Sequence, residues 1–420
     1  MKADSFRKIL LMLFITTSLT AQKSSWGLIP LTELGASFYK NFQGGLYPGG
    51  HNTRPAKHDS IGIELSKKIK PLDKNGNIDT LNGKYVFLSI GMSNTTQEFS
   101  VFKSIADIDP DKNPKLIIVD GAQGGQTAAS ISNPLANFWS VIEQRLQQTG
   151  VTSKQVAVCW IKEADANPTQ PFPVHANTLT NEHVAFVKNI KQKYPNCNIV
   201  YLSSRTYGGY ALTTLNPEPY AYESGFSVKW LIEKQINNDP ELTYIGNDAK
   251  SPWLSWGPYL WADGINQRSD GLMWLQTDFR SDDGTHPSDS GRRKVADLLL
   301  NFLKTDKTAR TWFLKNSISS VRGDFLPQQH YLYQNYPNPF NPSTTISYQL
   351  LEKSFVTIKI YDILGKEIAT LVNEDKPAGY HTVTFDSDQL NRGQGITSGV
   401  YIYTLYANGI AKSKKMLLAK

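Results

Sequence analysis

The sequence predicts an α/β domain built on a doubly wound, mostly parallel sheet, followed by an all-β sandwich. Three observations carry that reading. Between Lys84 and Thr305, short and nearly continuous apolar runs alternate with segments of helical periodicity. From Phe355 onward the pattern changes to strict apolar–polar alternation broken by glycines. The chain of 420 residues is also too long for one compact domain and suits about two or three.

Composition removes several function classes. Apolar residues make up 40% of the chain, charged residues 19% and aromatics 11%, which a disordered chain does not show. One stretch alone approaches membrane-spanning length, so a channel and a stable membrane span are not expected. The formal charge is +7, but Lys2, Arg7 and Lys8 against Asp4 place part of it at the extreme N-terminus. The remainder forms no basic stripe and no RNA-binding motif, so nucleic acid is not an expected partner.

The elements follow in order. Met1–Ala21 has a basic start, an apolar run from Ile9 to Phe14 and a small-residue end. That is the three-part pattern of a secretory signal peptide cleaved after Ala21, and its core is too short to span hydrocarbon. Residues 22–83, with Gly44-Gly-Leu-Tyr-Pro-Gly-Gly50, read as an N-terminal extension lying over the sheet. Within it, Asp73-Lys-Asn-Gly-Asn-Ile-Asp79 resembles a calcium loop. In EF-hand register, however, Pro71 and Asn82 occupy the strong ligand positions, so a hairpin turn at Asn75-Gly76 is expected instead.

Residues 84–305 carry the α/β pattern. Tyr85–Ile90, Leu116–Val119, Val156–Trp160 and Ile199–Leu202 are apolar runs of strand length, as in strands buried on both faces. Helical spacing joins Phe138, Val141, Ile142 and Leu146, then His183, Phe186, Val187 and Ile190, then Val295, Leu298, Leu299, Phe302 and Leu303. Cys159 and Cys197 can make neither a disulfide scaffold nor a tetrahedral metal site by themselves. Strand rise separates them by about 13 Å if their strands run parallel, so two unpaired, mostly buried thiols are expected.

Ligand sites in such sheets lie at the carboxyl ends of the strands. The first strand runs into Gly91-Met-Ser-Asn94, so Ser93 emerges where the chain leaves the sheet. The second ends in Asp120-Gly-Ala-Gln-Gly-Gly-Gln-Thr127, whose glycines free backbone N–H groups for a ligand. Asp283-Gly-Thr-His286 lies just before the last helix, where an aspartate can orient an imidazole across a turn. Ser288 or Asp289 is the better candidate to cap that helix. A serine, a backbone-donor loop and an Asp-oriented His make up the apparatus of acyl transfer.

In that order, residues from about Lys84 to Thr305 resemble the SGNH hydrolases, the GDSL-like esterases and lipases, in the branch with Gly-Gln-Ser-Asn around the nucleophile. The resemblance implies Ser93 as nucleophile and Asp283 and His286 as its partners. It implies oxyanion donors from the backbone of Ser93 and of Gly125, with Gly124 as the close alternative. Two positions depart from the family. Met92 stands beside the nucleophile, and Trp160-Ile-Lys-Glu-Ala-Asp165 has Ile161 and Lys162 where the family supplies a side-chain amide. Asn94 or Gln126 are the candidate substitutes for that donor. No metal or organic cofactor is required.

Trp253, Trp256, Tyr259, Trp261 and Trp274 cluster in a Gly- and Pro-broken stretch before Asp283. Trp256 and Trp261, with Arg205 and Tyr207 after the fourth strand, are candidate substrate contacts; packing of the loop onto the core accounts for them equally well.

Residues 306–330 read as a linker. Beyond it, Val356, Ile358 and Ile360 alternate with Thr357, Lys359 and Tyr361, followed by His381–Phe385 and Val400–Leu405. The Asn335-Tyr-Pro-Asn-Pro-Phe-Asn-Pro342 segment is proline-locked and unsuited to a central strand. With Ile360-Tyr-Asp-Ile-Leu-Gly365, Ser398-Gly-Val-Tyr401 and the basic Lys412-Ser-Lys-Lys415, residues 331–420 resemble the C-terminal sorting domain of the type IX (Por) secretion system of Bacteroidota. That resemblance implies export through the periplasm to the cell surface or beyond, with the type IX machinery as partner. The function expected is a secreted serine esterase acting on acetylated polysaccharide. The alternative is a catalytically impaired, glycan-binding protein of the same fold.

Overall fold

The computed structural model describes residues 22–246, 248–315, 330–335, 337–350, 352–377, 379–388 and 396–420. The expected signal peptide, Met1–Ala21, and residues 316–329 of the expected linker lie outside them. The described chain forms two compact units, one ending at residue 315 and the next starting at residue 330.

In the first unit, α1 (Ala56–Lys67) precedes β1 (Tyr85–Gly91), α2 (Ser93–Asp107), β2 (Leu116–Asp120), α3 (Asn137–Gln148) and β3 (Val156–Lys162). After these come α4 (Val174–Lys193), β4 (Ile199–Ser203), α5 (Tyr220–Ile236), β5 (Trp253–Trp256) and α6 (Asp289–Thr305). The five strands are parallel, in the order β2-β1-β3-β4-β5. Right-handed crossovers place α2 on one face of that sheet and α3, α4 and α5 on the other, and α6 packs beside α2. The side chains of β1 show both faces. Phe87 packs on Phe99 and Phe102 of α2, while Leu88 turns the other way and meets Ile142 of α3 around Gly121. Every residue of β1 and β3 is buried, which is why these strands read as continuous apolar runs.

Several expectations need correcting. The fifth strand, β5, lies in the stretch read as an aromatic loop, and it pairs with Ile199–Leu202. Helix α5 was not expected; it is buried along nearly its whole length, so it has no polar face to give it a period. Residues 306–315 are not linker: Trp312 packs on Phe87, and Asn113 N–H donates to the Phe313 carbonyl. The N-terminal extension packs along the sheet's β5 edge. His58 Nε2 lies 2.8 Å from the Leu254 carbonyl, and Arg54 pairs with Asp59 and Asp306.

Asp73–Asp79 forms a turn, as expected. The Asp73 carboxylate accepts the N–H groups of Asn75 and Asn77, and Leu72 bridges Ile78 in antiparallel fashion. Cys159 and Cys197 are unbonded and buried, but their sulfurs are 3.6 Å apart rather than at the expected separation. The reason is that Cys197 closes a turn on the Tyr194 carbonyl instead of continuing β4 in line.

The second unit contains β6 (Tyr331–Leu332), β7 (Ser343–Leu350), β8 (Ser354–Tyr361), β9 (Glu367–Lys376), β10 (Gly379–Asp386), β11 (Gly399–Ala407) and β12 (Ile410–Leu418). They form two antiparallel sheets, β9-β8-β11-β12 and β10-β7-β6. Val356, Ile358 and Ile360 of one sheet share a single core with Ile346, Tyr348 and Phe385 of the other. This is a β-sandwich. The proline-rich segment is not a ladder strand; Phe340 is buried and makes an isolated bridge to Leu418.

Candidate active site

The chain leaves β1 through Gly91, whose φ is 153°. A Cβ there would sit 2.2 Å from the Lys162 carbonyl oxygen and 2.6 Å from Thr95 Oγ1, so glycine is the residue this close crossing admits. The turn delivers Ser93 as the first residue of α2. Its N–H belongs to the first turn of the helix, where backbone donors have no intrahelical acceptor and the helix dipole is positive.

Ser93 Oγ is 2.7 Å from His286 Nε2, and His286 Nδ1 is 2.7 Å from Asp283 Oδ2. The other carboxylate oxygen of Asp283 accepts the N–H groups of Thr285 (2.7 Å) and His286 (2.8 Å). Burial works to raise the Asp283 pKa, but those two N–H groups and the imidazole hold it below the usual carboxylate range. Asp283 therefore stays ionised and fixes the imidazole with Nε2 toward the serine. The side chains of Asp283 and His286 are each 19% exposed, so the histidine remains within reach of water. Helix α6 is capped by Ser288, as expected, which leaves the Asp-x-x-His turn free for this role.

The glycine loop after β2 is held against Ser93. Gln123 N–H donates to the Gly91 carbonyl, and a Cβ on Gly124 would lie 3.9 Å from Ser93 Cβ. Gly124, the alternative of the two glycines, is thus the one lying against the serine. Gly125 follows with φ 75° in open space. Among the described residues neither glycine N–H has a protein acceptor, so both are available to an oxyanion. Sequence reasoning missed Asp120 as the residue that holds this loop. Its carboxylate accepts Ser89 Oγ (2.6 Å), Thr96 Oγ1 (2.5 Å) and Ala122 N–H (3.2 Å), joining β1, α2 and the loop. Its place at the end of β2 was the available signal.

Other expected contributors lie elsewhere. Asn94 is buried and donates from Nδ2 to the Thr285 carbonyl at 2.9 Å, so it clamps the histidine turn rather than facing an oxyanion. Gln126 Oε1 accepts from Ser130 Oγ. Lys162, in the position of the missing amide, is fully buried with its ammonium 2.6 Å from both oxygens of Glu98 on α2. The candidate substrate contacts are also buried. Trp256 Nε1 donates to the Leu46 carbonyl, Trp261 Nε1 to Glu218 and Tyr207 OH to the Lys23 carbonyl. Arg205 is 2% exposed, with Nη1 on Met92 Sδ at 3.6 Å. Trp256 and Tyr207 thus bind the N-terminal extension onto the domain, and Trp261 packs against Tyr207 and Tyr222 in the core.

Residues 334–419 match the family of secretion system C-terminal sorting domains. The protein is therefore exported, to the cell surface or beyond, and its C-terminal sandwich engages the type IX secretion machinery. Among the described residues no helix is long and apolar enough to cross a membrane. No curated protein sequence matches the chain.

Among solved structures, the chain is similar to PorZ, a surface component of the type IX secretion system of Porphyromonas gingivalis. That match has 20% identity and a TM-score of 0.17, covering 22% of this chain and 11% of that one. It is similar to the salicylyl-acyltransferase SsfX3 from a tetracycline biosynthetic pathway, at 12% identity and a TM-score of 0.30, covering 55% of this chain and 58% of that one. It is similar, too, to the periplasmic domain of a lipopolysaccharide acetyltransferase of Salmonella ser. Paratyphi A, at 14% identity and a TM-score of 0.26, covering 59% and 94%. The chain thus spans less than two thirds of the length of PorZ and of SsfX3.

Proposed function

We propose that this protein is an exported serine esterase of the SGNH type that removes acetyl groups from carbohydrate. The observation that carries the reading is the continuous hydrogen-bonded chain from Ser93 Oγ through His286 to Asp283. His286 Nε2 takes the proton of Ser93 Oγ as that oxygen attacks the ester carbonyl. The N–H groups of Ser93 and of Gly124 or Gly125 receive the oxyanion. Collapse releases the alcohol with the proton held on His286 and leaves an acyl-serine, which water cleaves by the same steps in reverse roles. The strand order β2-β1-β3-β4-β5 supports the SGNH comparison, and export supports an extracellular polymer as substrate. Fold alone does not choose among esters.

One observation favours a second reading, a glycan-binding protein without turnover. The position of the family's amide donor holds Lys162, sealed against Glu98, and loss of one oxyanion donor costs about 10²–10³ in turnover. The two readings separate with the purified protein and its Ser93→Ala variant on 4-nitrophenyl acetate and acetylated xylan. The esterase reading expects release by the parent, reduced at least roughly 10³-fold in the variant. Equal release by both proteins sinks it. Xylan binding that survives in Ser93→Ala, with turnover by neither protein, selects the second reading.

A further inference from the structure

With Trp256, Trp261 and Tyr207 packed in the core, the alcohol part of a substrate needs another place to rest. A cleft of about 310 Å³ opens at the carboxyl ends of β2, β3 and β4, lined in part by Thr127, Asp165, Asn167, His175, Asn216 and Tyr220. Thr127 lies three residues beyond Gly124, a span of at most about 11 Å of chain, and Gly124 rests against Ser93. The cleft therefore begins within one short loop of Ser93.

The cleft wall is polar and built. His175 Nε2 is 2.6 Å from Glu223 Oε2, a buried carboxylate whose other oxygen accepts Tyr39 OH and Lys40 Nζ. The Tyr220 ring stands edge-on to His175 with centroids 4.9 Å apart. Asn216 is 6% exposed, donates from Nδ2 to the Asp165 carbonyl and keeps Oδ1 without a partner among the described residues. Asp165 Oδ1 accepts the Ala129 N–H at 3.1 Å. Beside it, burial, a hydrogen bond to Asp165 and the nearby carboxylate push the Glu182 carboxyl up to about 8. Among the described residues lining the cleft there is neither lysine nor arginine.

We propose that this cleft is the alcohol-side subsite and that it accepts a neutral, hydroxyl-rich sugar ring while rejecting an acidic one. The proposal rests on the esterase reading. Amide, hydroxyl and carboxylate groups bond ring hydroxyls, and Tyr220 offers a face for ring C–H groups. A uronate in the same place would meet the Asp165 carboxylate with no lysine or arginine in the cleft lining to offset the like charge.

The test uses the full-length protein on acetylated xylan and on acetylated polygalacturonate of matched acetyl content, with 4-nitrophenyl acetate as a ring-free reference. The expected result is at least a tenfold preference in kcat/KM for the neutral polymer. Asp165→Asn should narrow that preference at least fivefold. Asn167→Ala and Tyr220→Ala should each lower the ratio of xylan to 4-nitrophenyl acetate turnover at least fivefold. In the Ser93→Ala background, calorimetry should show xylo-oligosaccharide binding that Tyr220→Ala removes. Equal use of both polymers, or a preference untouched by Asp165→Asn, overturns the subsite while leaving the esterase standing. If the parent releases nothing from any ester, the esterase reading fails. The binding arm then decides the cleft: binding lost in Tyr220→Ala supports it, and binding absent or unaltered overturns it.

Discussion

At the scale of single residues, the site is a set of side chains each held by a second group. Asp283 fixes His286, and Asn94 holds the turn that carries both through the Thr285 carbonyl. Asn94→Ala leaves that buried carbonyl unsatisfied, a loss of about 1–3 kcal/mol. The expected outcome is a lower melting temperature together with a kcat reduced about tenfold, equivalent to roughly 1.4 kcal/mol of misplaced geometry. An unchanged kcat with an unchanged melting temperature would count against the clamp. Residue identities singled out Ser93, Asp283 and His286 from the sequence, because Ser, Asp and His each carry a chemical signature at a strand end or before a helix. Asn94 misled for the same reason: its amide suits an oxyanion equally well, and the partner it takes is set by the approach of the Thr285 turn, 191 positions away.

At the scale of elements, α2, the helix that opens at Ser93, is pinned to the sheet by buried contacts. Lys162 at the end of β3 pairs with Glu98, one turn and a half beyond Ser93 on α2, and Thr95 Oγ1 donates to the Lys162 carbonyl. Burial pushes the lysine down to about 8 and the glutamate up. Lys162→Met strands a buried carboxylate and should cost about 3–5 kcal/mol, whereas Lys162→Met with Glu98→Leu should recover most of it. Urea unfolding of the two single variants and the double variant measures the cycle; a double variant as unstable as the sum of the singles would refute the pairing. Elements with a clear period were legible in advance, as α3, α4, α6 and the strand β8 show. The elements missed include α1 and α2 as well as α5 and β5. The last two are buried on nearly every side, so their sequences carry no alternation of polar and apolar faces.

At the scale of the whole molecule, two consequences follow. The first concerns pH. Glu182 has its folded-state pKa raised from 4.5 to about 8 by burial and by Asp165. For a raised acid the stabilising protonated form is fully present below the unfolded value and lost as pH climbs through the folded one. Stability should therefore decline between about pH 4.5 and pH 8, and Glu182→Gln should flatten that part of the curve. Melting temperatures of parent and variant across the range check the sign; a variant curve parallel to the parent would refute it. The second concerns export. Removing residues 410–420 deletes β12, the edge strand that bridges Phe340 and pairs with β11. The truncated chain should accumulate in the periplasm rather than at the surface, as fractionation and immunoblotting would show; surface display at parental level would refute the requirement for a complete sandwich.

The sequence by itself determined the succession of an α/β domain and a β-sandwich, the sorting tail and the identities of Ser93, Asp283 and His286. Periodicity, turn chemistry and short motifs are local properties, and local properties survive in a linear string. Tertiary structure alone decided which polar groups face one another and which aromatics are covered. It buried Trp256, Trp261, Arg205 and Tyr207, the candidate substrate contacts, in the core and brought Cys159 to Cys197. It also assembled the cleft of Asp165, Asn167, His175 and Tyr220 from segments that are separate in the chain. Burial and proximity depend on contacts between distant segments, and in this protein those contacts decide what surrounds Ser93.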